Sequence, residues 1–437
     1  MTNLPPVPIA VRTLANDLTV ATVHLPHLHL GYAALFVRGG PRFEDSRSHG
    51  LSHFCEHMLF RGAGRFGSAV ELARAIEDVG GHLDAATYRD HLVYASLFAP
   101  RGLGRVLEVI AALVREPAFS DIEVERRIIL EELNELEDGR GREIDPDNVL
   151  RSVQFGSHPL GQRIDGSRQG LQRFSRRDLR RHHGRHYGAR NAVLVIAGPD
   201  APASMARQAR RHLGSLPAGQ RLPLGALPAP GVARPKLRFV DEEGSQTDLR
   251  LGWVVPGEKD ALAPVLAIAR RLLDDGVSSR LQDELVEQRG LAYELWAELD
   301  QAADIGVFDL GAVVAHRKVA STVRALLESL ARLAQEGPSP DELRRAKRRA
   351  LWSFEAAVDA PHALAEWVGR GLLFDLNIDV ACARAQIQGV RGAQVRGALR
   401  RLLAPSCVHL VAVGKVRPRE RQRVARVIEE AAAQWPG

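Results

Sequence analysis

An internal repetition is the feature that most constrains the fold of this 437-residue chain. The stretch "LGYAALFVRGG", from Leu30, is an apolar strand pattern ending in a glycine turn, and "LRLGWVVPGE", from Leu249, has the same design. Two later strand patterns end in Gly198 and Gly414, which are 216 residues apart. A chain of this length suits two domains of about 200 residues. We therefore predict an α+β fold made by tandem duplication of one domain that mixes a sheet with several helices.

A helix-start signal, serine followed three residues later by glutamate, recurs at a similar interval. It occurs at Ser120 and again at Ser339, 219 residues further on. The segment from Leu216 to Lys236 is rich in proline, glycine and alanine and has no periodicity, which is typical of a linker. These signals predict a first domain at residues 1–216, a linker at 217–236 and a second domain at 237–437.

The charge pattern does not indicate a nucleic-acid-binding protein. The net charge of +6 arises from 59 basic and 53 acidic residues, which are interleaved along predicted helices. The densest basic run lies between Arg173 and Arg190, and neither aromatic interleaving nor a binding motif accompanies it. We interpret this run as a solvated helix face and expect no nucleic-acid partner.

Membrane and export signals are also missing from the sequence. No apolar run approaches the roughly 20 residues that span a bilayer. The first twenty residues show neither a basic-then-apolar export signal nor an arginine- and serine-rich transit segment. The three cysteines, Cys55, Cys382 and Cys407, are scattered and odd in number, so they indicate no disulfide framework. We therefore expect a cytoplasmic protein without a membrane partner.

The stretch "GLSHFCEHMLFRG", Gly50 to Gly62, places two histidines four residues apart on a predicted helix. Side chains at this spacing project from one face, so His53 and His57 can converge on one metal ion. Glu56 lies beside them, where a carboxylate can take a proton from a metal-activated water. The alternative is a partly exposed polar stripe on a helix whose buried face is Leu51, Phe54, Cys55, Met58 and Leu59.

Two histidines supply only two ligands, and a second predicted helix offers candidates for the third. This helix, Asp121 to Glu137, carries Glu125 and Glu132 seven residues apart, so both project from nearly the same side. Periodicity alone does not identify which glutamate is the third ligand, because Glu131 and Glu135 on the same helix are also candidates. The expected core-facing stripe of the same helix is Val124, Ile128, Ile129 and Leu133.

The second half of the chain lacks these chemical groups. The 219-residue offset places Arg344 opposite Glu125 and Leu351 opposite Glu132. The segment near the position that matches His53, "VLAIARRLLDDG", contains no histidine. Since a duplicated helix can keep its fold without them, their presence in the first half indicates that they are used.

Three segments carry a resemblance to a known family: "SHGLSHFCEHMLFRGAGRF", "GGHLDAATYRDHLVYAS" and "VERRIILEELNE". They resemble the inverted-motif zinc metallopeptidases of the pitrilysin family, in the half-length branch that includes the mitochondrial processing peptidase β subunit and bacterial homologues. In that family H-x-x-E-H is followed about 75 residues later by a glutamate, within E-x6-E. The resemblance implies that His53, His57 and Glu132 hold Zn²⁺. It also implies Glu56 as general base and Glu125 as a carboxylate that orients a ligand.

The resemblance extends along the whole chain and implies a zinc endopeptidase acting on peptides or unfolded segments. The peptide is expected to bind as an extended strand near Asp84 and Ala85, in a strand where the family commonly has asparagine at the position of Asp84. The alternative is a non-catalytic core or scaffold subunit, as some relatives have become.

The second half also carries a departure that concerns partners. Family members that grip peptide carbonyls there have an arginine seven residues before a tyrosine, whereas this chain has Val286 before Tyr293. We expect a heterodimer with a homologous subunit that supplies the Arg/Tyr pair. The alternative is a homodimer in which Arg280 or Arg289 takes this role.

Overall fold

The computed structural model describes residues 7–99, 101–228 and 234–436. The strands are β1 (Ile9–Thr13), β2 (Thr19–His24), β3 (Gly31–Arg38), β4 (His82–Thr87), β5 (His91–Phe98), β6 (Ala192–Gly198), β7 (Lys236–Val240), β8 (Thr247–Pro256), β9 (Glu294–Gln301), β10 (Ile305–Val314) and β11 (His409–Val413). The α-helices are α1 (Leu51–Leu59), α2 (Ala69–Glu77), α3 (Leu103–Arg115), α4 (Ile122–Leu136), α5 (Pro146–Phe155), α6 (Arg168–Arg173), α7 (Arg176–His186), α8 (Pro202–Leu213), α9 (Ala263–Leu273), α10 (Val319–Glu336), α11 (Pro340–Val358), α12 (Pro361–Phe374), α13 (Val380–Gly389), α14 (Gly392–Leu402) and α15 (Pro418–Ala433). Within the described residues, no helix combines the length and the apolar character needed to cross a membrane.

The order of strands in the two sheets confirms the predicted duplication and the α+β class. The first sheet has the order β1-β2-β6-β3-β5-β4, and the second has the order β7-β11-β8-β10-β9. Each sheet contains one parallel pair, β2 with β6 and β7 with β11, and every other pairing is antiparallel. The second sheet therefore repeats the first without β1.

The described residues form two compact units that do not follow the halves of the chain. The first unit falls within Met1–Asn134, Gln162–Ala226 and Phe354–Ala381, and the second within Glu135–Gly161, Leu227–Ser353 and Cys382–Gly437. The sequence predicts domain boundaries at residues 216 and 236. The observed units differ from these predicted domains because α5, from the first half of the chain, belongs to the second unit. Similarly, α12, from the second half, belongs to the first unit.

Apolar packing explains why each of these two helices belongs to the unit formed by the other half of the chain. In the first unit α12 packs on β3 and β6, where Gly369 lies against the ring of Phe36. In the second unit α5 packs on β8 and β11, and Leu150 joins the apolar cluster there. Both helices begin at a proline, Pro146 and Pro361, 215 residues apart. They are counterparts in the duplication, and each covers the sheet of the other half.

Part of the predicted linker packs on the first unit. Leu222 is buried, its N–H donates to the Oδ1 of Asn191 at 2.9 Å, and its carbonyl oxygen accepts from Arg38 at 2.8 Å. Residues 229–233 of the predicted linker lie outside the described residues.

The helices that carry the predicted metal ligands are anchored in the core of the first unit. In α1 the apolar face is buried as predicted, with Leu51, Phe54, Cys55, Met58 and Leu59 each at most 4% exposed. In α4, Ile129 and Leu133 are buried, whereas Val124 and Ile128 are 37% and 41% exposed, contrary to expectation.

The two predicted helix starts differ in the structure. Helix α4 begins at Ile122, and the hydroxyl of Ser120 donates to the carbonyl oxygen of Arg61 at 2.8 Å. In α11 the predicted cap forms, because the N–H of Glu342 donates to the hydroxyl of Ser339 at 3.3 Å.

Candidate metal centre

The start of α1 is fixed by a buried carboxylate and a glycine contact. The N–H groups of Gly50 and Ser52 donate to the two oxygens of Glu44 at 2.8 and 2.6 Å. Gly50 has a φ of 92°, and a Cβ there would lie 2.6 Å from the Cα of Gly166. This close approach requires glycine at both positions. It also brings Asp165 close to α1, the helix that carries His53 and His57.

His53, His57 and Glu132 come together in the first unit, as the resemblance implies. The two Nε2 atoms of the histidines are 3.2 Å apart. The Oε2 of Glu132 lies 3.6 Å from the Nε2 of His57 and 3.9 Å from the Nε2 of His53. These three residues form a group that could hold a metal ion.

The geometry of this group suits a tetrahedral zinc site. Ligand atoms at about 2.0–2.2 Å from zinc lie roughly 3.3 Å from one another in a tetrahedron. The observed separations of 3.2 to 3.9 Å are close to that edge length. Burial, and then the neighbouring His57, lower the pKa of His53 to about 4, so its ring is neutral at pH 7 and keeps a nitrogen lone pair for a cation.

Two successive polar contacts, through Glu125 to Arg61, hold His57 at its Nδ1, the ring nitrogen that does not face His53 and Glu132. The Nδ1–H of His57 donates to the Oε2 of Glu125 at 3.3 Å, and the Nε–H of Arg61 donates to the Oε1 of Glu125 at 2.5 Å. Burial raises the pKa of Glu125, but the contacts with His57 and Arg61 outweigh it and lower the pKa overall. Glu125 is therefore an ionised carboxylate in contact with the Nδ1 of His57, a position from which a carboxylate can orient a ligand ring.

His53 has an acidic neighbour that sequence reasoning missed. The Oδ1 of Asp165 lies 3.7 Å from the Nδ1 of His53, and this buried nitrogen has no hydrogen-bond partner among the described residues. Each histidine thus has a carboxylate facing its Nδ1. No pattern in the sequence singles out Asp165, which reaches the site because the next residue, Gly166, packs on Gly50.

Glu56 lies beside the group without joining it. Its Oε2 accepts from the hydroxyl of Thr87 at 2.8 Å, another contact that the sequence did not reveal. Burial raises the pKa of Glu56 and outweighs the opposing effects of His57 and Thr87. A carboxylate with a raised pKa is a better proton acceptor than an ordinary surface glutamate.

The predicted peptide-binding residues Asp84 and Ala85 lie in β4, at the edge of the first sheet. Among the described residues, β4 pairs only with β5, so its other edge is unpaired. Leu83 and Ala85 pack against the core that contains α1, and Thr87 reaches Glu56. Asp84 lies between Leu83 and Ala85 in the strand. Because side chains alternate along a strand, Asp84 points to the opposite face, where it is exposed.

The second unit contains Tyr293 and the position of the missing arginine. Tyr293 is 78% exposed, and its N–H donates to the carbonyl oxygen of Val313 at 3.0 Å. Val286 lies in a π-helical turn, Gln282–Glu287, and packs against the core of this unit. The guanidinium of Arg280 makes two contacts with Glu342, at 2.7 and 3.0 Å, so it is already engaged.

Comparisons with known proteins agree with this arrangement. Residues 19–165 match the family described as "Insulinase (Peptidase family M16)", and residues 173–350 match "Peptidase M16 inactive domain". The chain is 30% identical over 403 residues to an uncharacterized zinc protease of Mycobacterium bovis, with 90% of each chain covered. It is 28% identical over 376 residues to a probable mitochondrial-processing peptidase subunit beta of Schizosaccharomyces pombe, covering 83% of this chain and 81% of that protein. The crystal structure of a protease from Helicobacter pylori has the same fold, with a TM-score of 0.84, 20% identity and coverage of 94% and 100%.

A duplicated sheet-and-helix fold, with two histidines and a glutamate gathered in its first unit, defines a class of peptidase-like proteins. Within that class, this chain belongs to the M16 peptidase family, as the pitrilysin resemblance of its sequence indicates.

Proposed function

We propose that this protein is a zinc metalloendopeptidase that cleaves peptides or unfolded segments. The observation that carries the proposal is the convergence of His53, His57 and Glu132 with separations that suit a tetrahedral ion. The names of the relatives as zinc proteases support the choice of metal. Bound zinc in such a site lowers the pKa of a water molecule from about 15.7 to about 7 and polarises a carbonyl group.

The side chain of Glu56 then performs the proton transfers. Its carboxylate takes the proton from the attacking water and delivers it to the nitrogen of the leaving amine. The hydrogen bond from Thr87 holds one oxygen of Glu56 and leaves the other for the water. Glu56 is partly buried, which raises its pKa, and Glu125 keeps the ring of His57 in place.

The substrate binds as an added strand on the unpaired edge of β4. Backbone hydrogen bonds to this edge would give affinity with little demand on sequence. Because Thr87 and Ala85 face the side of α1, the backbone of such a strand would pass beside Glu56. Asp84 faces the other side and would meet alternate substrate side chains.

Metal content tests the ligand assignment. The wild-type protein should bind one zinc ion, and His53→Ala should bind much less, because two ligands hold zinc far more weakly than three. His29→Ala is the matched control, since His29 is an exposed histidine outside the group. Equal zinc content in all three proteins, measured by plasma emission spectroscopy, refutes the assignment.

Peptide cleavage tests the role of Glu56. The Glu56→Gln variant should keep its zinc and lose activity by about 100-fold or more, because general acid–base catalysis contributes about 10²–10⁴-fold. Glu131→Gln, an exposed glutamate on α4, should cleave like wild type. Near-wild-type turnover by Glu56→Gln excludes the role. A zinc-loaded protein that cleaves no library peptide, alone or with a homologous subunit, favours the scaffold function.

We also propose that the active form is a heterodimer with a homologous subunit, and that the protein acts in the cytoplasm. Val286 offers no donor to a peptide carbonyl, whereas an arginine offers five in a fixed fork. The engagement of Arg280 with Glu342 argues against Arg280 as its substitute, which leaves Arg289 for the homodimer alternative. Co-purification with a homologue carrying the Arg/Tyr pair, and a gain of activity, is the expected result. Full activity of an isolated homodimer with no gain from that homologue contradicts it.

A further inference from the structure

Helix α4 carries two exposed apolar side chains that belong neither to the core nor to the metal group. Val124 is 37% exposed and Ile128 is 41% exposed, whereas Ile129 and Leu133 on the same helix are buried in the core of the first unit. A single exposed aliphatic side chain is common on protein surfaces and needs no explanation. Two of them one helical turn apart, next to the proposed metal ligands, indicate a surface that another group covers.

These two side chains lie in register with the metal ligand Glu132. Residues four apart on a helix are neighbours on its surface, with about 5–6 Å between their Cβ atoms. Val124, Ile128 and Glu132 therefore form one continuous stripe along α4. The Oε2 of Glu132 lies 3.6 Å from the Nε2 of His57, so the apolar part of this stripe begins about one helical turn from the metal group.

The duplication supplies a comparison for the stripe. The 219-residue offset places Leu343 and Lys347 of α11 opposite Val124 and Ile128. Leu343 packs against the core of the second unit, and the Nζ of Lys347 donates to the carbonyl oxygen of Gln388 at 2.8 Å. An exposed apolar pair at these positions therefore occurs on the helix that carries a metal ligand and not on its counterpart. This difference favours a role at the metal group over a role in the fold.

The stripe and the peptide-binding strand border the metal group from different sides. Strand β4 reaches Glu56 through Thr87, whereas α4 reaches the two histidines through Glu132. The side chains of a peptide added to β4 alternate between two faces, and every second one points to the face of Ala85 and Thr87, where α1 lies. A side chain on that face, near the bond to be cleaved, extends over the metal group toward Ile128.

We propose that Val124 and Ile128 form the wall of a subsite that takes an apolar side chain of the substrate, next to the bond that is cleaved. This inference rests on the proposed peptidase function and names residues that select among its peptides. The occupant is a substrate side chain because the stripe is continuous with the metal group. An apolar side chain gains free energy when it leaves water for this stripe. A serine or an aspartate would instead exchange water for two side chains that offer no hydrogen bond.

Cleavage of a peptide library by the zinc-loaded, full-length protein tests the subsite. At one position next to the cleaved bond, peptides with leucine, isoleucine or phenylalanine should have a kcat/KM about tenfold higher than peptides with serine or aspartate. A Val124→Thr/Ile128→Gln variant nearly keeps the size of both side chains but makes them polar, so it should reduce this ratio to about twofold or less. Ile128→Leu should retain the preference. Val70→Gln, at a valine of α2 that is 63% exposed, is the matched control and should cleave like wild type.

Binding measurements separate failure of the subsite from failure of the proposed function. Fluorescence anisotropy with the zinc-loaded Glu56→Gln protein gives the affinities of the same peptides without hydrolysis. Cleavage without an apolar preference, or a preference that Val124→Thr/Ile128→Gln leaves unchanged, would overturn the subsite and not the peptidase. If no peptide is cleaved, but apolar peptides bind more tightly than polar ones and lose this advantage when Val124→Thr/Ile128→Gln is added, the subsite is supported and the peptidase refuted. Absence of both cleavage and binding would overturn the two together.

Discussion

Replacing Glu125 with glutamine tests whether a buried carboxylate, rather than the three ligands alone, sets the metal affinity. Glu125 is 7% exposed, accepts from the Nδ1–H of His57 and is fixed by Arg61 at 2.5 Å. Glutamine keeps the size and one acceptor oxygen but removes the negative charge. Loss of such an outer carboxylate typically weakens metal binding by about 10–100-fold. That corresponds to about 1.4–2.7 kcal/mol of binding free energy.

Competition with a chromophoric chelator would measure the zinc dissociation constants of the metal-free proteins. Glu131→Gln is the matched control, because Glu131 lies on the same helix, is exposed and accepts from the amide of Asn134 at 2.9 Å. The metal-free form of Glu125→Gln should melt near the wild-type temperature, which separates a metal effect from misfolding. Dissociation constants that are the same for the Glu125 and Glu131 variants would refute the reasoning.

The zinc dissociation constant of an Asp165→Asn variant can be measured in the same experiment. The Oδ1 of Asp165 lies 3.7 Å from the Nδ1 of His53, which is longer than a hydrogen bond, so its loss should weaken zinc binding less than the loss of Glu125. A larger loss at Asp165 than at Glu125 would reverse the order of importance inferred from the distances.

Three further predictions concern stability and folding. Gly369→Ala would place a Cβ 2.2 Å from the ring of Phe36 and should destabilise by about 1–3 kcal/mol in urea unfolding. Gly397→Ala, where nothing lies within 4 Å, should instead stabilise by about 0.5–1 kcal/mol, and equal effects of the two changes would contradict the packing of α12. Burial raises the pKa of Glu44 to about 7 from its ordinary 4.5, so the folded state binds more protons than the unfolded chain between these values. The stability of wild type relative to Glu44→Gln should therefore fall as the pH rises from 4.5 to above 7, by up to about 3 kcal/mol, and a pH-independent difference would count against this pKa. A fragment of residues 1–226 lacks α12 and should not unfold cooperatively, whereas a cooperative transition at the wild-type temperature would show that the helix exchange is dispensable.

The sequence predicted structure correctly where the whole pattern of residues lies within one short helix. The spacing of His53 and His57 and the apolar face of α1 both follow from helical periodicity, and the structure contains that helix. Periodicity could not choose between Glu125 and Glu132, because both lie on one side of α4. The choice of Glu132 came from the family spacing, and the structure places Glu132 beside the two Nε2 atoms and Glu125 behind His57.

Contacts between distant segments were beyond the sequence. Thr87 and Asp165 reach the site because β4 runs beside α1 and because Gly166 packs on Gly50. Neither residue belongs to a periodic pattern that would single it out. The exchange of α5 and α12 was missed for the same reason. An amphipathic helix reveals that it has an apolar face, but not which of two similar sheets that face covers.

The duplication separates what the fold needs from what the chemistry needs. In α11, the counterpart of α4, Leu351 stands at the position of Glu132 and is 8% exposed, so an apolar contact takes the place of a ligand. Arg344 stands at the position of Glu125, but it is exposed and pairs with Asp341 on its own helix. The second unit keeps the same strand order without any of these acidic groups. Burying the charge of Glu125 in the first unit is costly unless it is paired, and Arg61 and His57 supply the pairing there. Since the fold does not require that buried charge, its presence beside His57 supports the metal site proposed above.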